Sequence, residues 1–124
     1  MASQAGASLL DQAEQIAGAT VLVTQLPATE PKALRTMLDE LKNKLNSGVV
    51  LLATVNDEKI SLIAGVTADL TSKVHAGQLV GWAAEKLGGK GGGRPDMAQA
   101  GGSDVGALAQ VIIDAKNLIS EKLG

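Results

Sequence analysis

Cysteine is absent from this 124-residue chain, and His75 is its one histidine. A disulfide framework is therefore excluded, and a Cys/His zinc site nearly so. Phenylalanine and tyrosine are missing as well, which leaves Trp82 as the one aromatic side chain. A core must then be packed from Leu, Val, Ile and Ala, whose small, well-defined rotamers still reach normal density. The same shortage bears on function, because general single-strand binders stack bases on several aromatic rings. No apolar run approaches the roughly 20 residues that span a bilayer. Met1 to Gly6 lack the basic-then-apolar order of a secretory signal. Nor is there a large charge of either sign: 11 basic and 13 acidic residues give a net −2, which argues against holding nucleic acid by bulk charge. What is present, 45% hydrophobic and 19% charged residues, is the balance of one globular domain, and without a span or a signal the expectation is a soluble, cytoplasmic one.

The periodicities predict an α/β fold. Leu9, Leu10, Ala13, Ile16 and Ala17 fall roughly on one face and predict a helical stub over Ala7–Ala17. Residues 1–18 then link to an upstream part, and 19–124 form the globular domain. Thr20 to Leu26 is short and β-branched and ends at Pro27, the pattern of a strand. Thr29-Glu30-Pro31 favours a helix start, and Leu34, Met37, Leu38, Leu41 and Leu45 continue with helical spacing as far as Gly48. Val49 to Val55 is continuously apolar, as suits a central strand buried on both faces. Asn56-Asp57-Glu58-Lys59 reads as a hairpin turn, although it lacks the glycine of the tightest types. Ile60, Leu62, Ala64 and Val66 then alternate as a returning strand.

A second amphipathic helix carries Ala76, Leu79, Val80, Ala83 and Leu87 and stops at Gly88-Gly89. The last helix, with Ser103 or Asp104 as its cap, carries Leu108, Val111, Ile112, Ala115 and Ile119 inward. The expected architecture is a single compact domain with a small mixed β-sheet covered by helices, plus the N-terminal stub.

Between those last two helices lies a glycine-rich loop, 88–102, holding seven of the chain's 15 glycines. Glycine frees the unfolded backbone, so such a stretch costs folding entropy unless the main chain must turn unusually or admit a close neighbour. A plain flexible linker would not contain Arg94, Pro95, Asp96, Met97 and Gln99, and Met97 to Ala100 could add a short strand. The functional reading is a backbone cradle for phosphates, with Lys90 and Arg94 as charge and the start of the last helix at Ser103 as a further donor. It is neither a P-loop nor a dinucleotide fingerprint: Gly91 follows Lys90 where Ser or Thr is needed, and Arg94 falls where the last glycine belongs. From Lys73 to Gly101 the local charge is +2, with Lys73, Lys86, Lys90 and Arg94 against Glu85 and Asp96, so the rest of the chain carries −4. A basic loop on an acidic body suits selective docking on a phosphate backbone.

Catalytic groups are sparse. His75 reads as an exposed loop or helix-start residue, Asp57 and Glu58 as a solvated turn pair, and Asp69 as a turn or cap residue. Trp82 reads as core or the edge of the core. No catalytic residue and no metal ligand is assigned.

The run Gly91-Gly92-Gly93-Arg94-Pro95-Asp96-Met97-Ala98-Gln99-Ala100-Gly101-Gly102 resembles the C-terminal signature of bacterial alanyl-tRNA synthetases. Leu41-Lys42-Asn43-Lys44-Leu45 with Ser47 to Ala53, and the turn Val55 to Lys59, resemble the same family, over roughly Thr20 to Leu123. The resemblance implies a non-catalytic domain that binds the elbow of tRNA(Ala), works with the rest of the synthetase chain and helps couple aminoacylation with editing. The whole enzyme uses ATP, magnesium and zinc; none of these cofactors is expected in this chain. On the tRNA-binding reading, Lys73, Lys90 and Arg94 are expected to meet phosphates while Gly91, Gly92 and Gly93 permit close approach. The same domain type accompanies DHH-family phosphoesterases, in which a histidine stands where Arg94 stands here. Arginine keeps the charge and offers a fork of donors but cannot shuttle a proton, which favours binding over phosphodiester cleavage. The alternative is a dimerisation or structural domain of the same enzyme, forming a homodimer with little RNA affinity of its own.

Overall fold

The computed structural model describes residues 13–45 and 47–124. They form a six-stranded mixed sheet in the order β1-β2-β3-β4-β6-β5. Its members are β1 (Glu14–Ile16), β2 (Ala19–Leu26), β3 (Gly48–Asn56), β4 (Lys59–Val66), β5 (Lys90–Gly93) and β6 (Met97–Gly102). Strands β2 and β3 run parallel and every other pair is antiparallel. Helix α1 (Pro31–Lys44) makes the crossover between the parallel pair, and α2 (Ala76–Lys86) and α3 (Leu108–Leu123) follow.

The core has two halves because β3 is apolar at every position from Val49 to Ala53. Val50 and Leu52 join Leu22, Leu26, Ile63 and the Leu34, Leu38 and Leu41 stripe of α1. Val49, Leu51 and Ala53 point the other way, toward Leu79, Val80, Ala83, Leu108, Ala115 and Ile119 of α2 and α3. The result is three layers, α1 on one face and α2 with α3 on the other. Each fully buried Leu contributes about 1.5–3 kcal/mol, which makes up for the missing aromatic rings by number. Thr54 is a fully buried polar residue. Its Oγ1 donates to Pro27 O at 2.8 Å and accepts from Thr29 N at 3.0 Å, tying the start of α1 to the sheet. At the opposite end, Thr67 Oγ1 donates to Asp69 Oδ1 at 2.6 Å, and Ser47 Oγ donates to Oδ2. The Ser47 bond first, then the Thr67 bond, holds the Asp69 carboxyl below its ordinary value, and Asp69 is a turn residue as expected.

Two expectations are corrected. Of the helical stub predicted over Ala7–Ala17, residues 7–12 lie outside the described residues, and Glu14–Ile16 is a strand. Ala17 and Gly18, at φ 51° and 86°, turn the chain back onto β2. A strand alternates faces, so Ile16 reaches the α3 side while Ala13 reaches the α1 side, and Glu14 pairs with Lys116 of α3 at 3.3 Å. The last helix is not capped by Ser103 or Asp104. A 3₁₀ turn, Val105–Ala107, intervenes and α3 begins at Leu108 without a side-chain cap.

The hairpin between β3 and β4 is a two-residue turn, since Asn56 pairs with Lys59. Asp57 and Glu58 both take positive φ, 50° and 64°, a conformation that favours glycine and asparagine. Glu58→Gly is expected to raise the unfolding free energy by about 0.5–1 kcal/mol, read as a higher urea midpoint at unchanged slope. A lower midpoint would contradict this account of the turn.

Candidate nucleic-acid interface

The glycine-rich stretch expected as a loop is a β-hairpin. Lys90 pairs with Gly101, Gly91 with Ala100, Gly92 with Gln99 and Gly93 with Ala98, and β6 continues the sheet through β4. The short strand suspected at Met97 to Ala100 is thus real and runs on to Gly102. Helix α2 delivers the chain to this hairpin through a glycine stop. Gly88 sits at φ 75°, Gly89 N donates to Ala84 O at 2.8 Å and Gly88 N to Glu85 O at 3.3 Å, the Schellman pattern.

Part of the expected phosphate cradle is used by the protein itself. Arg94 N donates to Met97 O at 3.1 Å. By the alternation of an antiparallel ladder, Lys90 and Gly92 are then bonded to β6, and Gly91 and Gly93 turn their amides and carbonyls to the outer edge. Helix α2 comes down on that edge with its own glycines. A Cβ at Gly77 would collide with Gly93 O and lie 2.9 Å from Gly93 N, and one at Gly81 would lie 3.3 Å from Gly91 O. Ala76 N and Gly77 N also donate to Pro95 O and Arg94 O, at 2.8 and 3.1 Å. The amides of Ser103 and Asp104, expected as further phosphate donors, both go to Leu87 O, at 2.8 and 2.9 Å. The glycines are therefore needed first for a helix and a strand to meet backbone to backbone.

Gly92 is different. It takes no positive φ, and a Cβ placed on it would meet nothing within 4 Å. Neither its conformation nor its packing requires glycine. It shares a sheet face with Gln99 and Ile63, the face that α1 covers over β3 and β4. Beyond α1, this face is a shallow floor of Gly92 and Gly101, with Gln99 exposed and Met97 half-buried. Lys90 and Arg94 stand at its two ends, about 13 Å apart at the usual rise of a strand.

The turn from Arg94 to Asp96 is fixed rather than loose. Asp96 O accepts from Val66 N at 2.9 Å and from Lys42 Nζ of α1 at 3.2 Å. Arg94 Nε lies 3.8 Å from Asp96 Oδ1, with the two side chains 70% and 49% exposed. Such an open pair is worth little and leaves the guanidinium available. Lys90 has no ion pair among the described residues. Lys73 is exposed in the turn before α2, three residues from the Ala76 amide bonded to Pro95. Arg94 and Lys90 thus stand at opposite ends of the hairpin, and among the described residues Lys73 is linked to it only through the chain leading to Ala76. His75 is a helix-start residue whose Nδ1 accepts from Gln78 N at 3.1 Å. Asp57 and Glu58 form the β3–β4 turn, which lies next to the end of β6: Ile60 pairs with Gly102, and Glu58 lines a hollow with Ser103 and Val105. Sequence reasoning missed Lys42 and the helix glycines Gly77 and Gly81; the Gly-x-x-x-Gly spacing of the latter was the available signal. Among the described residues no three His, Cys, Asp or Glu side chains stand together as a metal seat, and no helix is long and apolar enough to cross a membrane.

The chain belongs to a known class of domain: residues 18–121 match the DHHA1 domain family. Within that class it is similar to the C-Ala domain of alanyl-tRNA synthetase from Aquifex aeolicus. The crystal structure of that domain superposes with a TM-score of 0.80 at 29% identity, over 87% of this chain and 97% of that one. A pGpG-specific phosphodiesterase from Vibrio cholerae matches 94% of this chain and 39% of its own, at 14% identity and a TM-score of 0.44.

Proposed function

We propose that this chain is the C-terminal domain of an alanyl-tRNA synthetase, and that it binds the elbow of tRNA(Ala) with the open face of the β5–β6 hairpin. Its role is binding, within the rest of the synthetase chain, and it leaves the chemistry to other domains. The observation that carries the reading is Gly92, a glycine that the protein's own packing does not need, on a floor flanked by Lys90 and Arg94. A bare main-chain floor lets a flat object lie close. The elbow of tRNA ends in the exposed face of its outermost base pair, with phosphates on either side, and RNA of this kind is recognised by shape and backbone. The similarity to the C-Ala domain supports the same assignment.

The test is a salt titration of binding to intact tRNA(Ala) and to an RNA containing the elbow alone. Both RNAs should bind with similar affinity, and each phosphate contact should add about 0.7–0.9 to the slope of log K against log salt. Arg94→Ala should weaken binding three- to tenfold and lower that slope by about one contact's worth. Unchanged affinity and slope would remove the hairpin from the interface. A tight dimer in sedimentation with no RNA affinity would favour the structural alternative.

A further inference from the structure

The one aromatic side chain of the protein is not sealed in the core. Trp82 is half-buried, packed on the α2–α3 side of the sheet. It opens into a groove of about 190 Å³ between those helices, lined by Gln78, Leu79, Trp82, Leu118 and Lys122. Lys86 Nζ stands 5.4 Å from the centroid of the indole ring. We propose that this groove is a second RNA contact, which receives one unpaired base against Trp82 while Lys86 and Lys122 meet its flanking phosphates. The inference rests on the reading of this domain as an RNA binder, but on different residues and the opposite face of the sheet.

Size, chemistry and charge agree on that occupant. The groove is smaller than the roughly 300–1,000 Å³ of pockets that enclose whole ligands, so it admits a single ring and leaves the remainder outside. Leu79 and Leu118 supply apolar walls and Trp82 a stacking surface. The Gln78 side-chain amide, which can donate and accept, has no partner among the described residues and suits a base edge. The charged residue that lines the groove, Lys122, is positive, Lys86 stands over the indole beside it, and neither lysine has an ion pair among the described residues. Glu85 and Glu121, their sequence neighbours, are exposed and do not line the groove. An acidic peptide would satisfy the lysines but leave the ring-sized slot without a planar occupant.

Because Trp82 is the sole Trp and there is no Tyr, its emission reports this groove alone. Titration with a single-stranded hexaadenylate RNA should quench that emission saturably, and the midpoint should rise with salt. Trp82→Leu should weaken hexaadenylate binding five- to tenfold in a fluorophore-independent assay, and Trp82→Phe should restore most of it. Lys86→Gln with Lys122→Gln, both exposed and harmless to the fold, should cost at least threefold and flatten the salt dependence. No change in emission up to roughly 1 mM strand, beyond the usual range for non-specific binding, would overturn the proposal. Equal affinity of the double Gln variant would do the same, as would a polyglutamate peptide that quenches and displaces the RNA. Arg94→Ala separates the two readings. If it weakens elbow binding as expected while Trp82 never responds to RNA, the groove fails and the hairpin stands. If Trp82 responds and Arg94→Ala changes nothing, the reverse holds.

Discussion

Gly77→Ala is expected to destabilise the domain by about 1–3 kcal/mol, the usual cost of forcing a methyl group into a packed site. The direction is informative because helix propensity alone predicts the opposite. An exposed Gly in a helix interior gains about 1 kcal/mol on becoming Ala. Here the new Cβ would meet Gly93 O and lie 2.9 Å from Gly93 N and 3.0 Å from Gly93 C. These are main-chain atoms of a strand bonded to β6 and cannot swing aside as a flexible side chain would. Helix α2 must then lift from the β5 edge, or β5 must leave the sheet. Gly81→Ala is the internal control, since its Cβ would stand 3.3 Å from Gly91 O and needs an adjustment of only tenths of an ångström. Urea unfolding of both variants checks the pair. A stabilised Gly77→Ala would show that the helix–strand clasp is not as close as described.

The second large effect falls on binding and leaves stability alone. Gly92→Leu should unfold at the same urea concentration as the parent, or slightly higher, because a strand residue with a side chain orders at a smaller entropy cost than glycine. The same substitution should weaken elbow-RNA binding at least tenfold, about 1.4 kcal/mol. A leucine would stand about one side chain proud of the floor between Lys90 and Arg94 and hold a flat ligand off both cations. Measuring unfolding and RNA affinity on one preparation separates the two roles of the glycine run. Gly77 then reports the clasp within the protein, and Gly92 the surface beyond it.

Much of this was legible in the sequence for identifiable reasons. The strand Val49 to Val55 announced itself as doubly buried, and both faces of β3 are indeed covered. Pro31 at the first turn of α1 and Gly88 after α2 marked helix ends that the backbone confirms. The described end of the stub was misread because Ala13, Ile16 and Ala17 have a helix's i, i+3, i+4 spacing and not a strand's alternation; Glu14–Ile16 is a strand only because β2 is there to pair with it. The hairpin was hidden for a related reason. Lys90-Gly91-Gly92-Gly93 has no β-branched or aromatic side chain to signal a strand, and it becomes one only because β6 and α2 are there to hold it. Lys42 could not be placed at Asp96, 54 residues away, by any local pattern. The candidate residues themselves were legible as types, glycines with flanking cations. Which glycine faces outward is a matter of register, and register is a tertiary property.

The most direct test of the account is a chemical-shift map of the isotopically labelled domain titrated with elbow RNA. Glycine amides resolve well, so Gly91, Gly92, Gly93 and Gly101 can be followed individually. The account predicts that the largest shifts cluster on Lys90–Arg94 and Met97–Gly101, with Gly92 and Gly101 among the first to move and the β1 edge unaffected. Shifts confined to β1 and α3, or none at RNA concentrations that saturate binding, would contradict it.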